Sequence, residues 1–346
     1  MPGLVRYLFV LALLLLGHLS ARAQQEFTVD DFSPSYFGKI YIQDTSEVFS
    51  PGWIAIYDKK TKKEVVKVES EELALSLHNG KAQSNIQQVP YGEQSLIISE
   101  DFNFDGRPDL AIEDGQNSCY HGPSFQIYLN LPPGLKYSQA FTDLAQDYCG
   151  MFQVDAKTKR LYTSTKSGCC WHQDSEFIIR NGEPSLVRQV EMDMMRFPFQ
   201  TTTTTTWSGT RMAQTTSQEL YLEDESIRVV CSFQVAGNGK QAVLFTTDND
   251  LVLYYALLRK DGQLEFTYPA PEAEAAQFTI QAASGITKLR FANQSAQYTV
   301  QQTSGGALSI QVKVGGRVVE LREQPGTRKG SLQPLLKMKP ENLSRI

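Results

Sequence analysis

The feature that most narrows the folds open to this chain is a recurrent rhythm of short apolar stretches broken by turn residues. Lys39-Ile40-Tyr41-Ile42 alternates polar and apolar, so one face of an extended strand turns inward and the other meets water. Trp53 to Tyr57 and Glu64 to Val68 flank the polar tip Asp58 to Lys63 and read as a hairpin. Ser95 to Ile98, Leu110 to Ile112, Phe125 to Leu129, Met151 to Asp155, Arg160 to Ser164, Glu176 to Arg180 and Leu186 to Glu191 continue the series, the last two parted by Asn181-Gly182. A second set lies further on. Val252 to Leu257 and Leu264 to Tyr268 meet through Asp261-Gly262, Thr287 to Phe291 precedes Gln297 to Val300, and Leu308 to Val314 meets Arg317 to Leu321 across Gly315-Gly316. Such spacing predicts an all-β chain, a propeller-like or sandwich-like module followed by a second small β domain. Glu71 to His78 reads as one short helix, and little other helix is expected.

Between two of these strands runs Asp101-Phe102-Asn103-Phe104-Asp105-Gly106-Arg107-Pro108-Asp109. Side-chain oxygens at positions 1, 3, 5 and 9, with the Arg107 carbonyl at 7, are the ligand types a hard cation such as Ca²⁺ takes. Gly106 allows the sharp turn. Asp101, Asn103, Asp105, Arg107 and Asp109 are therefore the candidate metal ligands. Ile112 stands where an EF-hand needs its bidentate glutamate, so this is a strand-loop-strand site. Glu100, Glu113 and Asp114 are all open as completing ligands. An ion in such a place is expected to fix a turn rather than to take part in a reaction.

The 346 residues suffice for roughly two domains. Residues 1–23 carry Arg6, an apolar run from Leu8 to Leu16 and the small-residue pattern Ala21-Arg22-Ala23, the marks of a secretory signal peptide. That run is too short to span a bilayer, and no later stretch is apolar for long enough, so no membrane span is expected. The expected location is periplasmic or secreted. The formal charge of -5 argues against nucleic acid as a partner and suits a cation or a basic protein. Disulfides are the default for Cys119, Cys149, Cys169 and Cys170 in an oxidising compartment, with the fifth cysteine, Cys231, open. Bridges from Cys119 and Cys149 to Cys169 and Cys170 would staple two loops together. Tyr120, His121, Trp171 and His172 would then share one rigid surface fit to bind a protein partner. The alternative for Cys169, Cys170 and His172, a Zn²⁺ site, suffers from adjacent cysteines taking two vertices of one tetrahedron.

Nucleophile elbows, metalloprotease helices and phosphate-cradling glycine loops are missing from the sequence. The threonine run Thr201 to Thr206 suggests a linker at 197–210, between a Ca²⁺-binding domain at 24–196 and a second β domain at 211–327. Threonine would also suit an edge strand. Residues 328–346 read as a loose basic tail.

Residues 38–190 resemble calcium-binding periplasmic β-proteins that include inhibitors and immunity proteins against lysozyme-like effectors of type IV secretion systems. The likeness rests on Glu100 to Gly106 with Asp109 to Ile112, on Pro123-Ser124-Phe125 before Tyr128-Leu129, on Phe152 to Asp155, and on Thr165 to Gly168. It implies Ca²⁺ at Asp101, Asn103, Asp105 and Asp109, and a protruding loop with an aromatic tip that enters a peptidoglycan hydrolase. The expected function is therefore a non-enzymatic, Ca²⁺-stabilised envelope protein that binds and inhibits such a hydrolase. An exported hydrolase with a structural ion and a structural or adhesive surface module are the competing readings.

Overall fold

A computed structural model describes residues 25–85, 95–270 and 277–346. The signal-peptide reading of residues 1–23 lies outside them. The chain is all-β and divides into two compact units, one running through Lys166 and taking in Gln173–Gln189, the other holding Ser167–His172 and Val190–Ile346.

In the first unit, β1 (Gln25–Val29), β2 (Tyr36–Ile42), β3 (Ser50–Asp58) and β4 (Glu64–Leu73) form an antiparallel meander. The expected helix over 71–78 is absent. Glu71 to Leu73 end β4, and Leu77–His78 (β5) pairs with Lys81–Ala82 (β6). Charged side chains alternate with Val66 and Val68 along β4, a period of two that a helix cannot bury on one face.

A second meander holds β7 (Ile97–Glu100), β8 (Asp109–Ser118), β9 (Gly122–Leu131) and β10 (Gly134–Tyr137). Its two faces feed separate cores. Ile97, Leu110 and Ile112 pack with Ile40, Ile54 and Val68 of the first meander. Ile98, Ala111, Phe125 and Ile127 pack on the other side, against Phe141, Phe152, Leu161 and Phe177. A sheet covered on both faces needs unbroken apolar strands, which explains the run Leu110-Ala111-Ile112. Leu110 and Ile112, both buried, each stabilise by about 1.5–3 kcal/mol.

The two-turn helix α1 (Gln139–Gln146) lays Phe141, Leu144 and Ala145 on that second core. Its Thr142 Oγ1 accepts the Ile127 N–H at 3.0 Å. Then come β11 (Gln153–Asp155), β12 (Arg160–Ser167), β13 (Trp171–Arg180) and β14 (Glu183–Arg196), the last begun in one unit and finished in the other. At the turn before β14, Asn181 and Gly182 both take positive φ, 54° and 82°. That geometry matches strand twist in a two-residue hairpin.

The second unit continues with β15 (Phe199–Trp207) and β16 (Met212–Leu220), so the expected linker at 197–210 is instead a strand of a nine-residue antiparallel ladder. Two facing sheets follow. One holds β17 (Arg228–Gln234), β18 (Gln241–Thr247), β19 (Val252–Leu258) and β20 (Leu264–Tyr268); the other holds β21 (Phe278–Ala283), β22 (Ile286–Asn293), β23 (Ala296–Gln302), β24 (Leu308–Val314) and β25 (Arg317–Arg322). Phe233, Leu244 and Tyr255 from the first meet Phe291, Val300 and Ile310 from the second in one sandwich core. Phe199 packs on the opposite face of β18 and β19, with Phe245 and Ala256.

The tail is not loose. Lys329–Gly330 (β26) joins β17, and Leu343–Arg345 (β27) runs parallel to β21. Leu332 and Leu335 are buried in the sandwich, and the Asn342 side chain bonds both the N–H and the C=O of Leu253 at 2.9 Å. Apolar side chains spaced among basic ones were enough to dock it.

Candidate functional site

The acidic loop connects β7 to β8 and is held from beneath by Phe102, fully buried against Phe152 at 5.2 Å between ring centroids. Above that anchor the loop satisfies itself. Asp101 Oδ1 accepts the Asp105 N–H at 3.0 Å and Oδ2 accepts the Gly106 N–H at 2.8 Å. Asn103 Oδ1 accepts the same Asp105 N–H at 3.0 Å. Asp105 Oδ1 accepts the Arg107 N–H at 2.9 Å, and Oδ2 pairs with the Arg107 guanidinium at 2.7 Å. Phe104 and Gly106 take left-handed backbone, φ 61° and 89°, which turns the chain sharply enough for these bonds to close.

Asp109 behaves differently. It is buried, and its two oxygens accept the N–H of Phe102 at 2.9 Å and of Asn130 at 2.7 Å, tying the loop to β9. Burial pushes its carboxyl up to about 6 although both hydrogen bonds favour the charged form. The oxygen-only donor set suits a hard cation in chemistry, and each carboxylate retains lone pairs. In placement, no three His, Cys, Asp or Glu side chains among the described residues converge on a point that could hold a metal. Of the possible completing ligands, Glu113 bonds Ala74 N–H and Gln116, and Asp114 bonds Ser124 and Gln146. Glu100 stays half-buried beside Asp101, and burial followed by that neighbour raises its carboxyl.

The cysteines pair otherwise than expected. Cys119 bonds Cys149, and Cys169 bonds Cys170, its neighbour in sequence. A vicinal pair cannot staple a second loop. Cys231 is a buried free thiol, pushed up to about 12 by burial.

Tyr120 and His121 belong to the first unit, whereas Trp171 and His172 lie in the stretch Ser167–His172 of the second, beside the vicinal disulfide. There, His172 Nε2 lies 3.3 Å from the Cys169 carbonyl, and Met194 N–H donates to the Cys170 carbonyl at 2.7 Å. The four residues are not assembled as one surface by a common staple.

The first unit builds a surface of its own. Cys119–His121 forms a short 3₁₀ turn between β8 and β9, with Tyr120 and His121 at φ 55° and 58°. The bridge from Cys119 to Cys149 fixes its root. Tyr120 is 62% exposed, with Lys166 Nζ over its ring at 5.2 Å. His121 meets Phe49 edge to face at 5.2 Å and lies 3.4 Å from a Glu72 oxygen. Phe49 is 40% exposed and Val48 75%. They come from the β2–β3 loop, which is pinned by buried Ser50 accepting the Asp44 N–H at 2.9 Å and by Gln43 N–H donating to Pro51 O at 2.9 Å.

Sequence reasoning missed Val48 and Phe49. The signal available was an apolar pair inside an otherwise polar turn, Asp44 to Ser50, where nothing demands it. Aromatic side chains offered to water on two pinned loops are the usual material of a protein-binding anchor.

No family model and no curated protein matches the sequence. Among solved structures, a Xanthomonas protein related to a type IV secretion system is similar over 56% of this chain and 94% of its own, at 20% identity and a TM-score of 0.44. Prolyl oligopeptidase B from Galerina marginata matches over 90% of this chain and 44% of its own, at 10% identity and a TM-score of 0.25. Both are too distant to carry a residue role across.

Proposed function

We propose that this is an exported, non-enzymatic binding protein whose first unit docks a protein partner through Val48, Phe49, Tyr120 and His121. The observation that carries this reading is the exposed, pre-ordered aromatic cluster on two pinned loops. Ordering a side chain on binding costs about 0.5–1.5 kcal/mol each, and rings already held by a disulfide-rooted turn, an edge-to-face contact and a lysine avoid much of that. Lys166 and Glu72 beside the rings give the rim both signs of charge, which favours register over indiscriminate sticking. Two disulfides suit an oxidising compartment outside the cytoplasm. The sequence resemblance points to a lysozyme-like peptidoglycan hydrolase as the partner class. Tyr120, exposed at the tip, is the side chain suited to enter a cleft.

Calorimetric titration against a lysozyme-like hydrolase tests the reading. Tyr120→Ala is expected to weaken binding about thirtyfold or more, the 2 kcal/mol or greater of an interface anchor. Binding unchanged by both Tyr120→Ala and Phe49→Ala would overturn it.

Ca²⁺ is proposed as a ligand of Asp101, Asn103, Asp105 and Asp109, with a structural role at the turn that roots β7 and β8. A cation that binds only the folded state adds about 2.7 kcal/mol at a hundred times its Kd. Melting should rise with added Ca²⁺ and fall with chelator. Equal melting in both would remove the ion from the account and leave the loop as a self-bonded clamp.

A further inference from the structure

A cavity of about 210 Å³ opens on the sheet of β11 to β14, lined entirely by residues of the first unit. The most buried of its lining residues are Thr163 and Ser175, 4% and 2% exposed. The Tyr148 hydroxyl lies beside both. Thr163 Oγ1 is nevertheless buried with no well-formed hydrogen bond among the described residues. A hydroxyl taken out of water without a replacement partner costs free energy, and a ligand is one way to supply that partner.

Asp174, Glu176 and Arg188 line the same cavity. Glu176 is already neutralised by an ion pair with Arg160. Asp174 Oδ1 accepts the Ser164 hydroxyl at 2.6 Å, which fixes the carboxylate and leaves Oδ2 without a partner among the described residues. Arg188 has neither an ion pair nor a hydrogen bond among the described residues. The cavity therefore offers one fixed carboxylate and one free guanidinium that are not bonded to each other. A simple anion entering it would meet Asp174, and a simple cation would meet Arg188, each against its own sign. A neutral polyol would displace water from both charges and neutralise neither. A ligand with a carboxylate and an ammonium a few bonds apart answers both, the first on the forked guanidinium and the second on Asp174. The Thr163 hydroxyl, donor and acceptor in one, can bond either end. The volume lies below the roughly 300–1,000 Å³ of drug-sized pockets, so the ligand is small.

We propose that this cavity binds a small α-amino acid, its carboxylate held by Arg188 and its ammonium by Asp174. The site shares no residue with the Tyr120 and Phe49 loops, so it stands or falls independently of the partner reading.

Two-dimensional NMR titration of the full mature chain with glycine, L-alanine and D-alanine tests this. Saturable shifts are expected at residues 162–164, 174–176 and 188. Arg188→Gln and Asp174→Asn should each weaken binding about tenfold or more, the loss of a hydrogen bond between charged groups. Both side chains are exposed, so both variants should melt near wild type. Blocked ligands separate the two ends. N-acetylglycine, which lacks the ammonium, should bind more weakly than glycine and be indifferent to Asp174→Asn. Glycine methyl ester, which lacks the carboxylate, should likewise be weaker and be indifferent to Arg188→Gln. No shift with any of the three amino acids would overturn the proposal, as would glucose binding as tightly as glycine, or an affinity unmoved by both substitutions.

Discussion

Replacing Cys119 and Cys149 together by alanine removes the bridge at the root of the Tyr120–His121 turn. The two cysteines lie 30 residues apart in sequence. In the chain-entropy account, closing a loop of that length restricts the unfolded chain by roughly 12 cal/mol/K, or about 3.6 kcal/mol at room temperature. The Cys169–Cys170 bridge spans a sequence separation of 1, and the same expression leaves it only about 1 kcal/mol. The two disulfides should therefore be unequal by a factor of three or more. For a unit of this size each kcal/mol moves the melting midpoint by about 2–4 °C, so the first double variant should melt roughly 7–14 °C lower. Differential scanning calorimetry of both double variants beside wild type measures this directly. Hydrogen exchange should at the same time quicken at residues 119–124 in the first variant. Equal shifts, or a larger shift on removing the vicinal pair, would refute the claim that the Cys119–Cys149 bridge is the staple that orders the tip.

Phe102→Ala should cost about 3–5 kcal/mol in urea unfolding, because a fully buried ring beneath the acidic loop leaves a cavity. Leu335→Ala should cost about 2–5 kcal/mol, which a loose tail would not show. Glu113 is buried, and burial first, then Asp114, raises its carboxyl from 4.5 to about 8. The folded state thus holds a proton that the unfolded state releases. Its contribution is present in full below about pH 4.5 and is lost as pH rises toward 8. Glu113→Gln, which keeps an acceptor for Ala74 N–H, should flatten the melting profile across that window; an unaltered slope would show that Glu113 does not hold the proton.

The all-β class was legible because alternation, as in Lys39 to Ile42, and turn pairs such as Asn181-Gly182 act within a few residues. The sharp turn of the acidic loop was legible for the same reason, since Gly106 and the Asx side chains act on their own backbone. What failed depended on distant partners. Six consecutive threonines carry no apolar alternation, so nothing local told strand from linker; the ladder to Met212–Leu220 decides it. Leu332, Leu335 and Leu343 sit among basic and polar residues, and only the sandwich core gives them a place. Helix α1 spans two turns, too short to show a repeat. Cysteine pairing is a matter of three-dimensional proximity. Phe49 becomes meaningful only when β3 brings it to His121.

The most direct test is a cell-wall hydrolysis assay in which a lysozyme-like hydrolase is titrated with this protein. Stoichiometric inhibition by wild type is expected, together with its loss in a Phe49→Ala, Tyr120→Ala double variant whose melting is unchanged. Hydrolysis that proceeds undiminished at saturating wild type, or inhibition that survives both substitutions, would contradict the account.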